Sequence, residues 1–159
     1  MIAQGGNILE NQEAWAQGIK IGGAAARGVQ IYSAPNPKVN LLSNNIADWE
    51  SGHYATNGVK AVFVSRIRLA ELLPIPHRNL YFNVYGPSDS YRFILRTFNE
   101  NLVFLTNVGE AYNGYISSFA NNAAYLAITI YDANNTALTF ADYYNLFSNS
   151  AIKPWISIA

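Results

Sequence analysis

The chain has 159 residues, half of them apolar, enough for one well-buried core and short for two ordinary domains with a linker. Ten basic and ten acidic side chains cancel, so no overall field calls for nucleic acid or an anionic membrane, and neither is expected as a partner. Cysteine is absent, which excludes disulfides, thiolate chemistry and Cys-held metals; only 13% of residues are charged, while eleven Tyr, eight Phe, three Trp and many Asn give the balance of β-rich extracellular or virion proteins.

Residues 1–39 carry "GGAAARG" and "SAPNPKVN", small and turn-forming residues that read as a connector, with a helical turn or two around "ENQEAWAQ". The opening "MIAQGGNILENQ" has neither a basic leader nor an apolar stretch of signal length. No run anywhere reaches the roughly eighteen apolar residues of a membrane helix. A short pattern occurs twice, as "NILENQEAWAQG" (7–18) and "NLLSNNIADWESG" (40–52), but only the second copy leads into alternating sequence. The domain is therefore expected to span 40–159, with 1–39 as an N-terminal extension and the second copy as first strand and entry turn.

From there the pattern is β. The segments 61–70, 79–86, 90–98, 101–106, 114–119, 123–132 and 153–159 are short and rich in β-branched and aromatic residues. Turn clusters "LLPIPHRN", "GPSDS", "NEN" and "DANNT" separate them, and Asn113-Gly114 reads as a hairpin turn. "TFADYYNLFSNS" is helical in pattern: Thr139 can cap, Asp142 sits at the third helical position, and Phe140, Tyr143, Tyr144 and Phe147 recur at 3 and 4 spacing. The expected fold is all-β, an antiparallel two-sheet sandwich of jelly-roll-like form with one short helix near the C-terminus.

Period-2 alternation separates core-facing from outward positions. Leu80, Phe82 and Val84 oppose Tyr81, Asn83 and Tyr85; Leu126, Ile128 and Ile130 oppose Tyr125, Ala127, Thr129 and Tyr131; Ile67 and Leu69 oppose Arg66 and Arg68; Tyr91, Phe93 and Leu95 oppose Arg92, Ile94 and Arg96. Planar rings beside guanidiniums and amides suit sugars, whose C–H faces stack on aromatics and whose hydroxyls or acidic substituents take hydrogen bonds from Arg and Asn. The candidate ligand-binding set is Arg66, Arg68, Tyr81, Asn83, Tyr85, Arg92, Arg96, Tyr125 and Tyr131. Each of these positions could equally serve cross-strand pairing alone. Trp49 and Trp155 read first as core or edge anchors, with sugar stacking as the sharper alternative.

Little calls for catalysis. His53 and His77 lack metal-ligand spacing, and no nucleophile elbow or phosphate loop is present. Asp48 and Glu50 flank Trp49 and could serve a glycosidase, but acids bordering a turn are usually solvated. "PSDS" and "YDANNT" could offer oxygens to Ca²⁺ and read more simply as turns. No cofactor, metal or catalytic residue is expected.

The order Asn-Leu-Leu, "WESG", "RIRLAELLPIP", an aromatic strand, "YRFILRTFNEN", "AAYLAITI" and "LTFADYY" resembles a β-sandwich domain of Gram-positive phage and prophage tail proteins, described as carbohydrate-binding or receptor-binding. The resemblance covers about 40–159. One departure is Thr97-Phe98, where the family has Tyr-Asp in the turn. The resemblance implies a module of a virion tail fibre or baseplate that attaches to host cell-wall glycan, polysaccharide or teichoic acid, without chemistry on it. It also implies a homo-oligomer, a trimer above other states, in contact with other tail proteins. The alternatives are a structural or oligomerisation domain without glycan binding and, third, a glycan hydrolase.

Overall fold

The computed structural model describes residues 38–159. The expected connector, its helical turn and the first copy of the repeated pattern lie outside the described residues, apart from Lys38 and Val39. The described strands are β1 (Trp49–Ser51), β2 (His53–Tyr54), β3 (Lys60–Ala61), β4 (Ile67–Leu69), β5 (Leu73–Pro74), β6 (Asn79–Tyr85), β7 (Tyr91–Phe98), β8 (Phe104–Ala111), β9 (Tyr115–Ser118), β10 (Tyr125–Asp132) and β11 (Lys153–Ile158). A 3₁₀ turn at Ile46–Asp48 precedes them, and helix α1 (Phe140–Ser148) lies between β10 and β11.

Two antiparallel sheets pack face to face, the sandwich the sequence predicts. The larger runs β1-β4-β10-β7-β8, with β5 pairing the other end of β10; the smaller runs β9-β6-β11. Alternation decides what lies between them: Leu80, Phe82, Val84 and Ile156 of the small sheet meet Ile67, Phe93, Leu95, Leu126, Ile128 and Ile130 of the large one, all at most 1% exposed. Phe82 and Phe93 join the sheets edge to face, with ring centroids 5.6 Å apart. Each such fully buried side chain contributes about 1.5–3 kcal/mol of transfer free energy, so this layer dominates the stability.

Helix α1 closes one side of the core. Thr139 accepts from the Asp142 N–H while the Asp142 carboxylate accepts from the Thr139 N–H, a complete capping box. Tyr143 and Phe147 are buried, and Trp49 packs edge-on against Phe147 at 5.7 Å. Trp49 is therefore a core anchor. Tyr144, grouped with them by spacing, points out and is 51% exposed.

Three expectations change. The run 61–70 is not one strand: it is paired only at Lys60–Ala61 and Ile67–Leu69, and Val62 and Val64 stand out in solvent with a turn from the Phe63 carbonyl to the Arg66 N–H. Strand 101–106 is displaced to Phe104–Ala111, because the Asn99 side chain accepts from the N–H groups of Asn101 and Val103 and holds Leu102 at φ +63° in a turn. The segment 40–52 enters differently too. Asn40 bridges the Pro154 carbonyl and the Ile156 N–H beside β11, and regular strand begins only at Trp49.

Asn113-Gly114 does turn the chain, with Gly114 at φ +83° and the Tyr115 N–H donating to the Tyr112 carbonyl. The strands it joins do not pair: β8 belongs to the large sheet and β9 to the small one. The turn is a crossover between layers. "PSDS" and "YDANNT" meet as turns, with the Ser90 hydroxyl donating to Asp132 at 2.6 Å and the Asn134 N–H donating to the same carboxylate oxygen at 2.9 Å.

Candidate functional site

A sandwich has two outer faces pointing away from each other, so the nine candidate residues divide. Tyr81, Asn83 and Tyr85 lie on the outer face of the small sheet, while Arg66, Arg68, Arg92, Arg96, Tyr125 and Tyr131 lie on that of the large sheet.

Much of the large sheet's outer face is covered. The β2–β3 hairpin lies across it, and Tyr54 builds a second small core with Phe98 and Ala127, with Leu72, Phe104 and Tyr125 around it. The Tyr54 N–H donates to the Thr129 hydroxyl at 3.2 Å, its own hydroxyl donates to the Leu69 carbonyl at 3.0 Å, and burial pushes its phenol up to about 12. Gly58 permits this cover, because a Cβ there would lie 2.7 Å from the Phe104 ring.

The cover consumes two of the arginines. Arg96, expected to point outward into solvent, is 5% exposed; its Nε donates to the Ala55 carbonyl and its Nη1 to Leu95 O and Asn107 Oδ1. Arg68 donates from Nε to Glu50 at 2.6 Å and from Nη1 to the carbonyls of His53 and Ala61. Both tie the hairpin to the sheet. Glu50 also pairs with Lys60 at 2.8 Å, and these contacts hold its carboxyl below the usual range, Lys60 first. Tyr125 packs into the second core. Arg92 donates to the carbonyls of Asp89 and Tyr91 and lies 5.5 Å from the Tyr112 ring.

Among the described residues, no second core covers the small sheet's outer face. Register places Lys153 opposite Tyr85, Trp155 opposite Asn83, and Ser157 opposite Tyr81. Lys38, Tyr81, Tyr85, Trp155 and Ser157 line a groove of about 280 Å³. Tyr85, half exposed, meets Trp155 edge to face at 6.2 Å, and the Lys153 ammonium lies 5.6 Å from the indole centroid. Burial, and then the neighbouring Tyr85, hold the Tyr81 phenol above its ordinary value.

Beneath the rings, Asn83 is 9% exposed and Ser157 is fully buried. Asn83 Oδ1 and Ser157 Oγ have no hydrogen-bond partner among the described residues. Buried polar atoms are nearly always paired, so the orphan hydroxyl of Ser157 in the groove lining, with the orphan amide oxygen of Asn83 opposite Trp155, singles this face out. Of the residues here, Lys38, Lys153 and Ser157 were not among those singled out from the sequence, and Trp155 was left between two roles. The signal for the last three was present: alternation in "KPWISIA" puts Lys153, Trp155 and Ser157 on one face, and only the pairing with β6 shows whose face it joins.

A second concavity, about 410 Å³, brings Asp48 and Glu71 to one wall with Leu41, Ser43 and Leu72. The Asp48 carboxylate there accepts from the Ser43 hydroxyl. Asp48 and Glu50, the acids noted from the sequence, thus have separate structural partners.

Compared with protein-family models, with curated proteins and with solved structures, the chain matches none.

Proposed function

We propose that this domain is a non-catalytic carbohydrate-binding module, the receptor-binding part of a phage or prophage tail protein, displayed as a homo-oligomer on the virion and attaching to host cell-wall polysaccharide or teichoic acid. The observation that carries the reading is the groove lined by Tyr81, Tyr85, Trp155 and Ser157, the last with an unpaired hydroxyl. A pyranose ring offers C–H faces to stack on the tyrosines and indole, and hydroxyls that can pair with Ser157 Oγ. The groove's volume falls just under the usual range for small-molecule pockets, which suits one sugar unit of a longer chain. Binding at one such site is weak, and symmetric display supplies avidity. The ordered resemblance of 40–159 to tail sandwich domains supports placing it on a virion tail.

Pulldown on purified cell wall tests this. Tyr85→Ala and Trp155→Ala should each lower retention severalfold at unchanged oligomeric state while Tyr85→Ala, at a half-exposed position, leaves the melting temperature within a few degrees. Retention unchanged by either substitution would sink the proposal.

A second reading, a structural module that packs on a neighbouring subunit, is favoured by Val59, Val62 and Val64, which are 59%, 90% and 72% exposed on either side of β3. Under that reading Val62→Ser with Val64→Ser dissociates the oligomer in light scattering and leaves wall retention per subunit unaltered.

A further inference from the structure

We propose that the outer face of the large sheet carries an oxyanion site at Arg66, taking a phosphate or carboxylate group. The proposal stands apart from the aromatic groove and does not depend on it.

The chain is neutral overall, yet this face is not. Arg66, Arg68 and Arg96 gather around His53, Lys60 sits beside them on Glu50, and Glu50 is the single carboxylate in ion-pair contact with any of the four among the described residues. Glu50 is already shared between Lys60 and Arg68. Glu110, on the same face, accepts from the Tyr131 hydroxyl at 2.6 Å. Four cations against two carboxylates, Glu50 and Glu110, each already engaged, leave a positive field that a diffusing anion would feel.

Counting donors shows where an anion would dock. Arg68 and Arg96 spend Nε and Nη1 on carbonyls, Glu50 and Asn107. Arg66 makes one polar contact, Nη1 to His53 Nδ1 at 3.2 Å, and its Nε–H and Nη2 N–H groups have no partner among the described residues. Those two nitrogens form the side-on edge of a guanidinium, the edge that grips two oxygens of one anion at once.

The guanidinium is also held still. Its carbon lies 4.0 Å from the Phe63 ring centroid and 4.9 Å from that of Tyr131, and Phe63 in turn packs on His53 at 5.0 Å. Stacking fixes the plane of the fork before the anion arrives, so little side-chain freedom is lost on binding. Burial first, then Arg66, Arg96 and Arg68, hold His53 below its ordinary value, so at neutral pH it accepts from Arg66 and contributes no charge of its own to the site.

Titration of the whole chain with inorganic phosphate and, in a second arm, glucuronate tests the site at constant ionic strength against sodium chloride. Calorimetry should show saturable binding of at least one anion, and Arg66→Gln should weaken it by about tenfold or more. Arg66→Lys, which keeps the charge and loses the side-on fork, should weaken it too, and carries the test alone if the Gln variant does not fold. Preference between the two arms distinguishes a tetrahedral phosphate from a planar carboxylate. Binding of neither anion beyond the chloride control, or equal binding by the wild type and the folded variants, overturns the site.

Discussion

Ser157 shows how one side chain can separate folding from recognition. Its hydroxyl is fully buried without a partner among the described residues, which costs about 1–3 kcal/mol of desolvation with no hydrogen bond in return. Ser157→Ala should therefore leave the urea midpoint unchanged or raised, while wall retention falls. A lowered midpoint would mean that the hydroxyl already has a partner in the free protein. His53 gives a residue-scale pH dependence. Its native proton affinity lies below that of the unfolded chain, near 6.5, because burial and then the surrounding arginines disfavour the imidazolium. As pH falls through that value the unfolded state takes up the proton first, so this contribution to stability is lost on acidification. Urea midpoints at pH 7.5 and 5.5 should differ more for the wild type than for His53→Gln; equal differences would remove His53 from the account.

At the scale of elements, the pattern Trp-x-x-Gly acquires a physical reason. Trp49 anchors β1 in the core, and Gly52 then turns the chain at φ +121°, where an added Cβ would collide with Arg68 Nη1 and lie 2.6 Å from the Ala61 carbonyl. Gly52→Ala should destabilise by about 2 kcal/mol or more, from the left-handed backbone plus the displaced Arg68 clamp. An unchanged denaturation midpoint would show that Arg68 can leave without consequence. The elements that could be read directly were those whose local signals agreed: β6 and β10 alternate between core and outward positions, as does the first half of β7 until Ile94 breaks the pattern, and Thr139 with Asp142 announced α1. Other features were fixed at a distance. Alternation marks Arg96 and Ala127 as outward, which is geometrically right, but the β2–β3 hairpin then covers that face through Tyr54 and Gly58. Alternation says which way a side chain points and nothing about what docks above it. The groove divides the same way: Tyr81, Asn83 and Tyr85 follow from one strand, whereas Trp155 and Ser157 join them only through pairing between residues far apart in sequence.

Across the whole molecule, the two outer faces put the aromatic groove and Arg66 on opposite sides of one packed core. Between them lie Phe82, Phe93, Ile128 and Ile156, none of them exposed, an apolar layer packed edge to face at Phe82 and Phe93. Sites so separated, sharing no partner, should act independently, with free energies additive to within about 0.5 kcal/mol. The stability change of Tyr85→Ala with Arg66→Gln should thus equal the sum of the single changes, and phosphate affinity should be the same with or without wall glycan bound. A coupling well above that limit would require the sandwich to hold two arrangements that both faces bias, a conformational switch rather than a rigid bracket. Independence has a consequence for attachment. A rigid domain with two uncoupled weak sites facing opposite ways can engage two chains of a polymer mesh at once, and its retention on intact wall should exceed that on soluble wall fragments far more than either single-site variant's does. Equal ratios for Tyr85→Ala, Arg66→Gln and the wild type would confine binding to one face.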